Sequence, residues 1–272
     1  MDAIPLPRVL FAAFLLCCLG GQRAVLAADQ PAPVPRPAPA APAAIPPVDP
    51  AARYEGCIAL AKRNPTDGWE TALAWMGEGG GDPAKHCGAV ALIGLKQYKE
   101  AAQRLEDLAT HSQAEAGLRA GMLAQAGQAW ILSGNPERAY ADQTTALQLT
   151  PGAPDLLIDR AESLALAKNW SDALADLNQA LAAAPDRVDA LTYRATAKRI
   201  LGDLDGAAAD AARAILLDPQ NHDAWLESGD VKRLKGDKGG ARQDWLEVLR
   251  LAPRSQAADA ARDNLEKLDV KE

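Results

Sequence analysis

Four prolines, Pro151, Pro185, Pro219 and Pro253, follow one another at intervals of 34 residues, and the stretches between them keep the same time. Twelve residues before each stands an alanine (Ala139, Ala173, Ala207, Ala241), and nine before it an aspartate (Asp142, Asp176, Asp210, Asp244). Twenty-four before it is a small residue: Gly127, Ala161, Ala195 or Gly229. A fixed period of this length marks a repeat array, in which each unit buries its apolar face only against its neighbours. Each unit holds two alanine-rich apolar runs long enough for helices, broken by turns such as Ser133-Gly134-Asn135 or Leu201-Gly202-Asp203. The small residues let two helix backbones approach. The proline, which cannot continue a helix interior, separates one unit from the next. The chain reads as stacked helix–turn–helix pairs.

The pattern resembles the tetratricopeptide repeat (TPR) family, whose motif runs Trp-x2-Leu-Gly-x2-Tyr, then Ala-x3-Phe, then Pro. Residues 222–253 carry Trp225, Gly229, Gly236, Ala241, Trp245 and Pro253 in register, and residues 120–151 carry Gly127, Trp130, Gly134, Ala139, Ala146 and Pro151. Residues 154–185 and 188–219 keep the small residues and the proline, with Arg160 and Arg194 at the leucine place and Leu164 and Lys198 at the tyrosine place. The resemblance implies an all-α fold, a right-handed α-solenoid of roughly six stacked pairs. It also implies a surface that binds protein segments, and no chemistry of its own.

Composition agrees. The 272 residues include only two Phe and four Tyr, which favours one elongated repeat domain over two globular ones. The net charge is −7, with no lysine-rich run, so nucleic acid is a poor partner for a chain that cannot neutralise phosphates.

In chain order, residues 1–28 read as a secretory signal: Arg8 precedes the apolar run Val9–Leu19, and Val25-Leu26-Ala27 offers small residues for cleavage. That run is shorter than the about 20 residues a bilayer span needs, so no stable membrane span is expected after cleavage. A periplasmic or secreted location follows, the alternative being an anchor formed by an uncleaved signal. Cys17 and Cys18 are filler in the apolar stretch. Residues 29–50 form a Pro/Ala-rich linker, for which polyproline II or a disordered spacer is expected. Residues 51–118 read as irregular leading pairs. Their first helix ends at Asn64-Pro65, their second carries Trp69, Ala72, Leu73 and Met76, and Asp82-Pro83 opens a third. Lys96 there replaces the turn glycine, and the 38 residues from Ala101 to Ala139 predict a longer loop around 111–116. Residues 119–253 hold four repeats. Residues 254–272 form a capping helix, started by Ser255, with Ala258, Ala261, Leu265 and Leu268 on one face and charges on the other.

Enzymatic constellations are missing from the sequence. Gly79-Gly80-Gly81 follows no strand, and Asp82 would repel an anion from the helix it opens. His86, His111 and His222 lie far apart, and Cys57 and Cys87 are not at zinc spacing. No serine elbow or paired-carboxylate motif is present, so no cofactor, metal or catalytic residue is assigned. Trp130, Trp170, Trp225 and Trp245 are expected as wedges between helices.

The resemblance places a partner-binding groove on the first helix of each pair, with Gln128, Ile131, Ile158, Glu162, Thr192, Thr196, Arg199, Leu226, Asp230 and Arg233 one turn apart along it. The lysines and asparagines with which chaperone-binding members clamp a terminal carboxylate are absent: Ala124, Ile158, Thr192 and Leu226 stand at the lysine places. Arg199 and Arg233 are expected to be solvated. A mixed apolar and charged groove suits an extended or helical peptide of a cell-envelope partner, on a scaffold or adaptor. The alternative is a regulatory or localising subunit of a cell-wall or polysaccharide enzyme. Arg160 and Arg194 need carboxylate partners, either across a repeat boundary (Asp142 with Arg160, Asp176 with Arg194) or within one repeat (Arg160 with Asp176). Cys57 and Cys87, each in the first helix of its pair, remain as an even pair once the signal is gone. They are expected to form a disulfide in an oxidising compartment.

Overall fold

A computed structural model describes residues 49–269. The expectations for residues 1–28, for Cys17 and Cys18, and for most of the 29–50 linker lie outside the described residues. Among these residues the chain is thirteen α-helices: α1 Pro50–Arg63, α2 Pro65–Gly77, α3 Gly81–Gly94, α4 Tyr98–His111, α5 Ala116–Leu132, α6 Pro136–Leu149, α7 Pro154–Leu166, α8 Trp170–Ala183, α9 Val188–Ile200, α10 Leu204–Leu217, α11 His222–Leu234, α12 Lys238–Leu251 and α13 Gln256–Asp269. They make six antiparallel pairs and a final single helix. From α5 onward each first helix packs on the next first helix, α5 on α7, α7 on α9, α9 on α11 and α11 on α13, which lines up one continuous inner row.

Local chemistry ends each helix. The residues before the repeat prolines, Thr150, Ala184, Asp218 and Ala252, all leave the helical region with φ between −134° and −141°. A proline's ring disfavours helical backbone in the residue ahead of it. Asn64 does the same before Pro65, and its side-chain oxygen accepts from the Asp67 N–H to start α2. From the second pair onward, the turn within the pair uses a left-handed residue at one fixed place: Gly134, Gly202 and Gly236, but Lys96 and Lys168 in the two of these pairs that lack the glycine. Each lysine holds φ near +60°, a conformation that costs a residue with a Cβ roughly 1–2 kcal/mol.

The small-residue row works by contact. A Cβ on Gly229 would come within 2.5 Å of the Trp245 indole nitrogen, and one on Gly127 within 3.0 Å of the Gln143 amide. Trp130 and Trp245 are buried between helices as expected, whereas Trp225 is only partly buried and its Nε1–H donates to the Pro219 carbonyl at 3.0 Å. Ser255 Oγ accepts from the Ala258 N–H to start the last helix, whose Ala257, Ala258 and Ala261, with Leu265 and Leu268, close the end of the array over Trp245.

Three expectations are corrected or decided. The extra four residues between Ala101 and Ala139 do not lengthen the loop. Residues 112–115 are as short a connection as 150–153, and the excess makes α5 17 residues long against 13 for α7. Four residues add about one helical turn, so the helix grows without turning its apolar face away. The arginines pair within their own repeats: Arg160 makes two bonds of 2.7 Å to Asp176, and Arg194 bonds Asp210 at 2.7 and 2.8 Å. Cys57 and Cys87 are joined, with Cα atoms 6.0 Å apart, tying α1 to α3 within a core that also holds Trp75, Ala84 and Ala91. The leading helix begins at Pro50, capped by Asp49.

Candidate inner-face groove

The inner row is amphipathic along each first helix. Residues four apart share a face, so Glu162, one turn before Leu166, and Thr196, one turn before Ile200, present toward the same side as the rows that flank them. Between α7, α9 and α11 this face opens into a cleft of about 460 Å³. Six of the ten residues expected in the groove line it: Glu162, Thr192, Thr196, Arg199, Leu226 and Asp230.

The other four stand elsewhere. Gln128 bridges α5 to α7, its Nε2 donating to Asp159 Oδ1 at 3.1 Å and Glu162 Oε2 at 3.2 Å. Ile131 is half-buried against Trp130 and Leu92. Ile158 is 4% exposed and packs with Leu157, Ala161 and Leu191, so it belongs to the core and not to the groove. Arg233 is exposed, beside the cleft rather than in its wall. Arg199 is not solvated: its Nε donates to Glu227 Oε1 at 2.6 Å, and Thr196 Oγ1 donates to Glu227 Oε2 at 2.9 Å. Glu227 is 5% exposed and depends on these donors.

Sequence reasoning missed several lining residues. Trp170, assigned as a wedge, is half-buried at the cleft wall beside Leu166 and the phenol of Tyr193. Asp189, Asn221 and Asp223 complete the lining. Their signal was present as rows at the repeat period, Asp155, Asp189 and Asp223 in the first turns of α7, α9 and α11.

The electrostatics are one-sided. Burial, and then the Glu162, Asp223, Asp189 and Asp159 carboxylates, push the Tyr193 hydroxyl up to about 12. Burial pushes Asp159 up to about 6, against the hydrogen bond from Gln128. Burial likewise raises Asp230, although Arg199, Trp245 and Arg233 oppose it. One cation bridges the aspartate row: Arg187 bonds Asp189 through Nε at 3.1 Å and Nη2 at 2.6 Å, and reaches Asp155 through Nη1. Among the described residues, no cluster of three or more His, Cys, Asp or Glu side chains is placed to hold a metal ion. No described helix is long and apolar enough to cross a membrane.

No family model matches the sequence, and no curated protein matches it. Solved structures do match. The Cut9 and Hcn1 hetero-tetramer of the APC/C aligns at a TM-score of 0.66 with 16% identity, over 82% of this chain and 43% of that one. MamA (41-end) from Desulfovibrio magneticus RS-1 aligns at 0.53 with 22% identity, over 62% and 93%. YrrB, a TPR protein with an unusual peptide-binding site, aligns at 0.51 with 18% identity, over 66% and 91%. The chain has the fold of the TPR solenoids.

Proposed function

We propose that the chain is a non-catalytic, exported scaffold that binds a peptide segment of a cell-envelope protein on its inner face. The observation that carries this is the cleft between α7, α9 and α11. It is a concave surface on rigid helices, with partly exposed Trp170 and Tyr193 beside charged groups. Aromatic side chains next to polar ones are the usual anchors of protein recognition. Export rests on the apolar segment with its preceding Arg8 near the N-terminus, and on the Cys57–Cys87 pair, which persists in oxidising compartments.

Crosslinking in intact cells, followed by mass spectrometry of the retained protein, tests the reading. Leu166→Asp with Ile200→Asp places charges on two exposed positions of the inner row and leaves the core untouched. Loss of the crosslinked partner with unchanged helical content is the expected result. Equal retention by this variant would move binding off the groove. Arg199 is unsuitable for such a test, because reversing it strands Glu227 and unfolds the site it probes.

A further inference from the structure

Leu132, Leu166, Ile200 and Leu234 lie 34 residues apart, the last residue of α5, α7, α9 and α11. They are 55%, 52%, 43% and 45% exposed. Single exposed leucines are ordinary on protein surfaces, but one at the same place in four successive repeats forms a ladder along one edge of the inner face. The opposite edge is the aspartate row. Its first gap, between Asp155 and Asp189, is filled by the guanidinium of Arg187. The equivalent residue in the next repeat is Asn221, which bears no charge, and it lines the cleft with Asp189 and Asp223. Its amide oxygen accepts from the Ala224 N–H at the start of α11, so it serves the helix cap and not the row.

We infer that the groove takes an extended peptide segment in which arginine or lysine and an aliphatic residue each recur at every third position. Its cation enters between Asp189 and Asp223 in the place Arg187 holds one repeat earlier, and its aliphatic side chains rest on the Leu166–Ile200–Leu234 edge. This rests on the scaffold reading above and supplies its partner chemistry. The chain itself shows that a guanidinium can bridge two neighbouring aspartates of this row, since Arg187 does so between Asp155 and Asp189. The Glu162, Asp189 and Asp223 carboxylates that line the cleft repel an acidic ligand. Neighbouring helix axes lie about 8–10 Å apart, so the rungs match every third side chain of a polyproline II segment, which has about three residues per turn and rises about 3.1 Å per residue.

Fluorescein-labelled (Ala-Leu-Arg)4, (Ala-Leu-Glu)4 and (Ala-Ser-Arg)4 serve as probes, read by anisotropy on the full chain. The first should bind at least about tenfold more tightly than the other two, and should weaken as salt rises. Asp223→Lys, at an exposed carboxylate, and Ile200→Ser with Leu234→Ser should each lower affinity about tenfold, while Leu216→Ser on the outer helix α10 leaves it unchanged. Equal binding of the acidic probe, or full binding by the Asp223→Lys variant, overturns the inference. If the cellular partner still depends on Leu166 and Ile200 while no cationic probe binds, the scaffold reading stands and the partner chemistry proposed here is wrong.

Discussion

The carboxyl of Asp142 adjoins that of Glu106, at the repeat where the residue sixteen positions before the aspartate is Ala126 rather than Arg160, Arg194 or Ser228. In the following repeats Asp176 meets Arg160, Asp210 meets Arg194 and Lys198, and Asp244 meets Ser228 and Lys232. At Asp142 the place is empty of cation. Glu106 already accepts from the Trp130 indole and Arg138, and Asp142 Oδ2 is buried with no hydrogen-bond partner of its own.

Burial, and the Glu106 carboxylate after it, push Asp142 up to about 7 from its ordinary 3.8. The folded state therefore holds this proton more tightly than the unfolded chain. The resulting stability is fully present below about pH 4 and is lost as pH rises through about 7. Asp142→Asn removes the charge and keeps a donor toward Glu106. It should raise stability by about 1–2 kcal/mol at pH 8, do little at pH 4.5, and flatten the profile between. Urea unfolding across that range checks it, and an unchanged slope would count against a buried proton.

Removing one side of a buried ion pair leaves the other charge stranded. Asp176→Ala should cost about 2–4 kcal/mol, whereas Arg160→Met with Asp176→Leu should come out near neutral, since the apolar replacements need no partner. The double-mutant cycle by urea denaturation separates the two.

Lys96 and Lys168 hold left-handed backbone that their glycine counterparts adopt freely. Lys168→Gly should stabilise the array by about 0.5–1 kcal/mol, the relief of the Cβ clash outweighing the added freedom of the unfolded chain. Lys168→Ala should not. A matching pair of thermal melts decides it.

The bond between Cys57 and Cys87 closes a loop of 30 residues. Chain entropy puts its contribution at about 3–4 kcal/mol, lost on reduction. Denaturing alkylation without reductant should leave both cysteines unlabelled, and digestion should yield one linked peptide that separates on reduction. Label on Cys57 and Cys87 before reduction would show the pair to be open.

The period of 34 made the architecture legible, because it names the unit, its small-residue contacts and its proline stop together. Separations along the chain could not decide between rival partners. Arg160 stands eighteen residues after Asp142 and sixteen before Asp176, and only the packing of α7 on α8 selects the second. The same blindness placed four extra residues in a loop when they had gone into α5. Ile158 misled for another reason: it shares the groove's one-turn spacing, but α7 tilts it into the core with Leu157 and Ala161. Trp170 was read as packing because the aromatic places of the repeat are normally buried, and here it lines the cleft.

The lengthened α5 carries a rule for how such an array can change. An insertion of four residues turns a helix by about 400°, nearly a whole revolution, and extends it by about 6 Å. Inserting two would swing every later side chain to the opposite face and put Trp130 in water. Growth by turns is therefore tolerated where growth by residues is not. The added turn of α5, with Leu118 64% exposed on it, is a step in the inner row that leaves the four rungs after it in phase.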